Sequence, residues 1–214
     1  MINRKNQTKK YNFWSHFHTM LDITKTGNEK ISERLSFFSS VDDFIEKNYL
    51  LANIPEKYFD LDFSPIKDKL LKSNNTIEEI DKFEKYYNAI DKAAEKGIGL
   101  YIYGSHGVGK TSLAIILLKI AIQKYYSAFF STSNEALEFM RAGWKNEDKK
   151  FFWTYVINNC KFFVIDDIGR LFSQFNEGEK TNINDSFIKR DNSNLCTIMT
   201  ANHSLDQNRD LLGE

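Results

Sequence analysis

Cysteine is nearly missing from this sequence. The two present, Cys160 and Cys196, stand far apart, with no second pair at ligand spacing, which argues against a disulfide framework or a zinc finger and leaves buried, reduced thiols as their expected state. A charge excess of either sign is missing as well. Lysine and arginine together number 29, as do aspartate and glutamate, so no global field favours nucleic acid or an anionic membrane, and any such contact must come from a local patch. Long apolar runs are lacking too. The longest, Leu113 to Ile122, is interrupted by Lys119 and is too short to span a bilayer. No apolar stretch follows the basic opening MINRKNQTKK, so no secretory leader is expected and the chain reads as cytoplasmic. His16 and His18 form an HxH pair, but no further ligand cluster lies nearby, and surface histidines are the expectation.

What remains is enough for one full domain plus an appendage: 214 residues, 42% of them hydrophobic. Residues 1–52 are polar and aromatic, with a basic head of Arg4, Lys5, Lys9 and Lys10 and one helix expected near Val41 to Leu51. They are predicted to form an interaction arm or small helical domain. Both prolines, Pro55 and Pro65, fall in NIPEKYFDLDFSPIKDKL, which reads as a linker. Thr76 and Glu79 then form a capping-box pattern ahead of a single helical stripe of Ile77, Ile80, Phe83, Tyr87, Ile90 and Ala94 that stops at Gly97. From there short apolar segments alternate with helical ones. Strands are predicted at Leu100 to Tyr103, Ala128 to Thr132, Phe162 to Ile165 and Thr197 to Thr200. Helices are predicted at Thr111 to Tyr125, near Asn134 to Trp144, near Lys149 to Asn159, and over a polar segment ending near Lys189. The pattern implies an α/β fold whose parallel sheet is covered on both faces.

Three stretches carry candidate chemistry. The first runs Gly104, Ser105, His106, Gly107, Val108, Gly109, Lys110, Thr111, Ser112 and fits G-x-x-x-x-G-K-[ST] between a buried strand and an apolar helix. Glycines let successive amides point into one concavity, and the dipole of the following helix adds positive potential, so the expected guest is a triphosphate. Lys110 is placed to reach the β- and γ-phosphates and the Thr111 hydroxyl to ligate magnesium; His106 reads as a permissive loop residue. The second stretch, CKFFVIDDIGR, ends an apolar strand in Asp166 and Asp167, at the carboxyl edge of the sheet beside the loop. Asp166 is expected to bind magnesium through water and Asp167 to orient or deprotonate the attacking water. In the third, TIMTANHS, a strand ends in Thr200 and Asn202, and the Asn202 amide is expected between the aspartates and the γ-phosphate.

In this order GSHGVGKTSLA, FFVIDDIGR and TIMTANHSL resemble the Walker A, Walker B and sensor 1 of AAA+ ATPases, and within them the DnaC/DnaI-type helicase loaders with their IstB-like relatives. NIPEKYFDLDF resembles the I-P-x-x-Y segment that precedes the core in that family. The resemblance covers about residues 53 to 213. It implies an AAA+ ATPase core over 53–214, ATP and magnesium as cofactors, Ile54 near the adenine, self-assembly through the core, and an N-terminal arm that docks on a replicative helicase. It also implies an arginine finger and a sensor 2 beyond the segment SLDQNRDLLGE at which this sequence stops. Arg190 precedes the sensor strand and Arg209 lies short of the usual finger position, so neither is assigned that role. Asp167 stands where many AAA+ proteins carry glutamate. Slow hydrolysis by the isolated chain is expected, since a missing finger costs roughly 10³ or more in rate. Loaders also grip single-stranded DNA through aromatic and basic side chains. Phe129, Phe130, Lys145, Lys149, Lys150 and Trp153 offer that chemistry, although strand cores and solvated helix faces are the ordinary use of such residues. Two alternatives accompany the loader reading: an IstB-like ATPase helper of a transposase, and an interaction module that binds nucleotide without turning it over.

Overall fold

The computed structural model describes residues 47–72, 77–143, 146–169, 175–204 and 206. The chain divides into two units, Met1–Lys47 and Asn48–Glu214, and the sheet with its helices belongs to the second. The basic head, His16 and His18, Thr76 of the predicted capping box, Trp144, Lys145 and Arg209 lie outside the described residues, as does the expected arm apart from 47–52.

Four parallel strands form the sheet in the order β1-β4-β3-β2: β1 (Leu100–Tyr103), β2 (Ala128–Thr132), β3 (Phe162–Asp166) and β4 (Cys196–Ala201). The edge strand β1 is half-buried with Tyr103 exposed, but β3 has no solvated side to serve, and its Phe162, Phe163, Val164 and Ile165 are all fully buried. Alternation sorts the strand side chains between two helical layers. Phe129 and Phe163, paired in the β2–β3 register, meet Phe152 and Trp153 of the helix Glu147–Asn159. The helix Lys110–Gln123 packs against all four strands. It is apolar around most of its circumference and buried accordingly.

The expected linker is folded. Glu56–Tyr58 form a 3₁₀ turn after Pro55, and Phe63–Lys72 form a helix, here α1. Pro65 sits in its first turn, where a missing N–H costs nothing. Lys119, the charge that interrupts the apolar run, is buried and donates to the carbonyls of Phe59, at 2.7 Å, and Leu61. It ties the supposed linker to the core. Residues 48–51 are helical. Just after them, Ala52 accepts the Phe130 N–H at 2.8 Å and the Asn53 side chain donates to the Phe130 carbonyl at 3.0 Å. These bonds close the outer edge of β2, a row of groups otherwise free to pair with another chain.

The single stripe predicted over 77–96 is two helices, α2 (Ile77–Asn88) and α3 (Ile90–Lys96), separated by Ala89 at φ −103°, ψ 24°. The break lets Ile90, Ala93 and Ala94 bury against the neighbouring layer. At the end of α3, Gly97 takes φ 69°, and a Cβ there would lie 2.4 Å from the Asn194 Cα. Only glycine fits. The remaining helices are α4 (Lys110–Gln123), α5 (Ser133–Gly143), α6 (Glu147–Asn159) and α7 (Glu177–Asn192).

Arg190 of α7 is among the most deeply buried side chains. Its guanidinium donates to the Thr197 hydroxyl at 2.9 Å and to the Ile157 and Cys196 carbonyls at 2.7 Å each, over the Phe163 ring. Desolvation pulls its pKa down to about 10. A side chain so enclosed cannot reach a neighbouring subunit's nucleotide. The thiols are free and buried, as expected, and burial pushes Cys160 up to about 12. Phe129, Phe130 and Trp153 are core residues, so they do not form the aromatic surface for single-stranded DNA that their sequence allowed. Lys150 is exposed and faces Glu147 at 3.7 Å; the Lys149 side chain lies outside the described set.

Candidate functional site

The carboxyl ends of β1, β3 and β4 converge because the parallel order sets β4 between the other two. After β1 the chain turns through Gly104, Gly107 and Gly109 at φ 152°, 82° and 95°, conformations that side-chain-bearing residues rarely adopt. Gly109 is the N-cap of α4 and Lys110 its first residue, so the loop delivers the lysine and threonine directly onto a helix N-terminus. Ser105, His106 and Gly107 are exposed, while Gly104, Val108, Lys110, Thr111 and Ser112 are half-buried. The loop is pinned at its start by the Gly104 N–H, which donates to the Ala201 carbonyl at 3.3 Å.

Six residues then form a closed ring. Lys110 Nζ donates to the Gly104 and Ser105 carbonyls at 2.8 and 2.9 Å and to Asn202 Oδ1 at 3.0 Å. Asn202 Nδ2 donates to Asp167 Oδ1 at 3.3 Å. The Asp167 N–H donates to the Thr200 hydroxyl at 2.9 Å, which donates to Asp166 Oδ1 at 2.6 Å. Thr111, covalently joined to Lys110, completes the circuit by donating to Asp166, at 2.8 Å to Oδ1 and 3.0 Å to Oδ2. Tyr101 of β1 holds the turn after β4 through its hydroxyl on the His203 carbonyl at 2.9 Å. Partial burial lowers the Lys110 pKa, and the charges of Asp167 and Asp166 oppose the shift. Asp167 itself sits at φ 61°, a left-handed conformation that costs an ordinary residue of order 1 kcal/mol and persists only where its surroundings hold it.

The residues predicted on three separate stretches are thus brought together: Lys110 and Thr111, Asp166 and Asp167, Asn202. Ile54 is buried on the segment that closes the edge of β2. Thr200 is the member whose part the sequence did not reveal. The available signal was register, because Ile165 pairs with Met199 and the next step sets Asp166 beside Thr200.

The donor set suits a hard divalent cation. Asp166 contributes carboxylate oxygens and Thr111 a hydroxyl that gives its proton to Asp166 and keeps its lone pairs free. No cluster of three or more His, Cys, Asp or Glu at metal spacing occurs among the described residues.

The profile of the IstB-like ATP binding proteins matches residues 90–214, which include every member of the ring. The chain belongs to that family. No curated protein matches it. Among solved structures it is similar to the DnaC helicase loader at 24% identity and a TM-score of 0.57, over 75% of this chain and 91% of that one. It is similar to DnaI at 21% identity and a TM-score of 0.57, over 74% and 80%. The replication initiator DnaA bound to AMPPCP and single-stranded DNA matches at 14% identity and a TM-score of 0.57, over 72% of this chain and 46% of DnaA. The chain therefore spans less than half of that initiator. These likenesses show the P-loop fold of the AAA+ type, a parallel sheet with flanking helices and the glycine loop between β1 and α4. Among the described residues no helix is long and apolar enough to cross a membrane.

Proposed function

We propose that the chain binds ATP with magnesium at the loop from Gly104 to Ser112 and uses the bound nucleotide as a switch in loading a replicative helicase onto DNA. The ring that joins Lys110, Asn202, Asp167, Thr200, Asp166 and Thr111 carries this reading. It holds a cation, two carboxylates and a neutral amide around one point above a helix N-terminus, the combination a triphosphate needs. Lys110 exchanges its loop carbonyls for phosphate oxygens. Thr111 and Asp166 hold the magnesium, which supplies neutralisation of phosphate charge when bound. Asp167 orients the water that attacks the γ-phosphorus, giving ADP and phosphate, and Asn202 keeps that carboxylate and Lys110 at a fixed separation. Ile54 is proposed as the adenine neighbour and residues 1–52 as the arm that docks on the helicase. Single-stranded DNA is a further partner, contacted through residues other than the buried aromatics.

Likeness in fold to a helicase loader and to an initiator solved with single-stranded DNA supports the replication setting. The family match favours a second reading, an ATPase helper of a transposase. Hydrolysis by the isolated chain is expected below about 1 s⁻¹. The deciding experiment titrates a slowly hydrolysed ATP analogue with magnesium into wild type and Lys110→Ala, then offers each loaded protein to purified helicase and to purified transposase. Saturable binding weakened at least 100-fold by the substitution, with nucleotide-dependent capture of helicase, is the expected result. Capture of transposase alone moves the chain to the second reading. Tight binding of the analogue, with no turnover of ATP itself in a parallel hydrolysis assay at any protein concentration, makes it a nucleotide-ordered interaction module.

A further inference from the structure

Thr200 uses one hydroxyl twice at the point where β3 and β4 end. It is buried, with 1% of its surface exposed. As donor it takes Asp166 Oδ1 at 2.6 Å; as acceptor it takes the Asp167 N–H at 2.9 Å. The Thr111 hydroxyl shares Asp166 Oδ1 at 2.8 Å and reaches Oδ2 only at 3.0 Å. Oδ1 therefore carries two hydroxyl protons and Oδ2 the longer share of one. A free carboxylate has a broad, roughly two-fold torsion and presents either oxygen equally; this one does not. The second bond falls on the backbone of the strained residue of the site, since Asp167 is at φ 61°. A valine would fill the same space, so packing alone does not call for a hydroxyl here.

We propose that Thr200 is a positioning residue: it selects Oδ2 of Asp166 as the oxygen left for the cation, and it holds the Asp167 backbone in the conformation from which that carboxylate works. The proposal rests on Thr111 and Asp166 being the magnesium ligands. It separates two properties that share a pocket. Affinity for the nucleotide alone depends on the glycine loop and Lys110, which Thr200 does not touch; the gain in affinity on adding magnesium depends on Asp166, which it does.

The experiment titrates a fluorescent, slowly hydrolysed ATP analogue into the full chain with magnesium and, separately, with chelator, for wild type, Thr200→Val and Thr200→Ser, with a melting curve for each. Bonds from a neutral donor to an ionised acceptor are the strong ones. Removing one is expected to weaken magnesium-dependent binding about tenfold in Thr200→Val, leaving chelator affinity within about twofold, while Thr200→Ser stays within about threefold of wild type in both. Equal losses with and without magnesium, or no loss in valine, overturn the proposal. Where Thr200→Val does not fold, serine decides alone: it keeps the hydroxyl and removes a methyl, so a tenfold magnesium-specific loss in serine also overturns it. Wild type that binds equally with and without magnesium overturns the ligand reading first and this proposal with it, a failure visible before any variant is made.

Discussion

Strand β4 has a buried arginine beside one end and a half-buried lysine beside the other, and both cations hold main-chain carbonyls. Arg190 grips Ile157 and Cys196 from within the core, in a cage closed by the Phe163 ring. Lys110 grips Gly104 and Ser105 from the rim, with Asn202 as its only side-chain acceptor in the ring. The difference is what can replace the partners. No ligand reaches the arginine, so its bonds belong to stability, whereas phosphate oxygens can take over every bond of the lysine. A positive charge among carbonyls signals a site only when solvent reaches it too.

The sharpest way to break this comparison is at the arginine. Arg190→Met keeps most of the volume but leaves two carbonyls and a hydroxyl without their donor, and is expected to cost about 3 to 5 kcal/mol in urea unfolding. Lys110→Met, on the rim, is expected to change the same midpoint by under about 1 kcal/mol. Equal losses would abolish the distinction. Gly97→Ala comes next. Its new Cβ meets the Asn194 backbone at 2.4 Å, at φ 69°, and a loss of about 2 to 3 kcal/mol is expected, because neither backbone can yield cheaply.

A third cation is intermediate. Arg141 is half-exposed but bonds the buried Glu179 at 2.8 Å, and Glu179 also closes the α7 capping box with Asn176. The Arg141 bond holds the Glu179 carboxyl below the ordinary glutamate value of 4.5, partly opposed by burial. Because the folded pKa is the lower one, this stabilisation is complete above the ordinary value and is lost as pH falls through the folded one. Glu179→Gln is expected to lower the melting temperature at neutral pH and to flatten its decline below about pH 4.5. An unchanged acid slope would show that the pair does not contribute. The smallest effect has the opposite sign. Tyr125 follows α4 at φ 64°, with its N–H on the Ile122 carbonyl, and Tyr125→Gly is expected to raise stability by about 0.5 to 1 kcal/mol.

The strands were the most legible part. Leu100 to Tyr103 and Ala128 to Thr132 fall where their sequences place them, because short runs rich in aromatic and apolar residues between turn signals read as strands. Gly104 to Thr111 was legible for a different reason, since its spacing is fixed by backbone conformation rather than by packing. The helix break at Ala89 was not, as Ile90 and Ala94 stay close to the periodicity of the preceding turns. The folded stretch 55–72 was hidden by its prolines, which punctuate a first turn as readily as a linker. Thr200 and Arg190 were visible in the sequence but their bonds were not, because those depend on which strand lies alongside.

The sheet order also sets a timetable. Leu100 pairs with Ile198, so β1 cannot enter the sheet until the chain has been made almost a hundred residues further. At roughly 5 to 20 residues per second that is about 5 to 20 seconds of synthesis. By the later part of that interval the glycine loop has left the ribosome while Thr200 and Asn202 do not yet exist. A nascent chain therefore carries the cradle long before it can grip what lies in it.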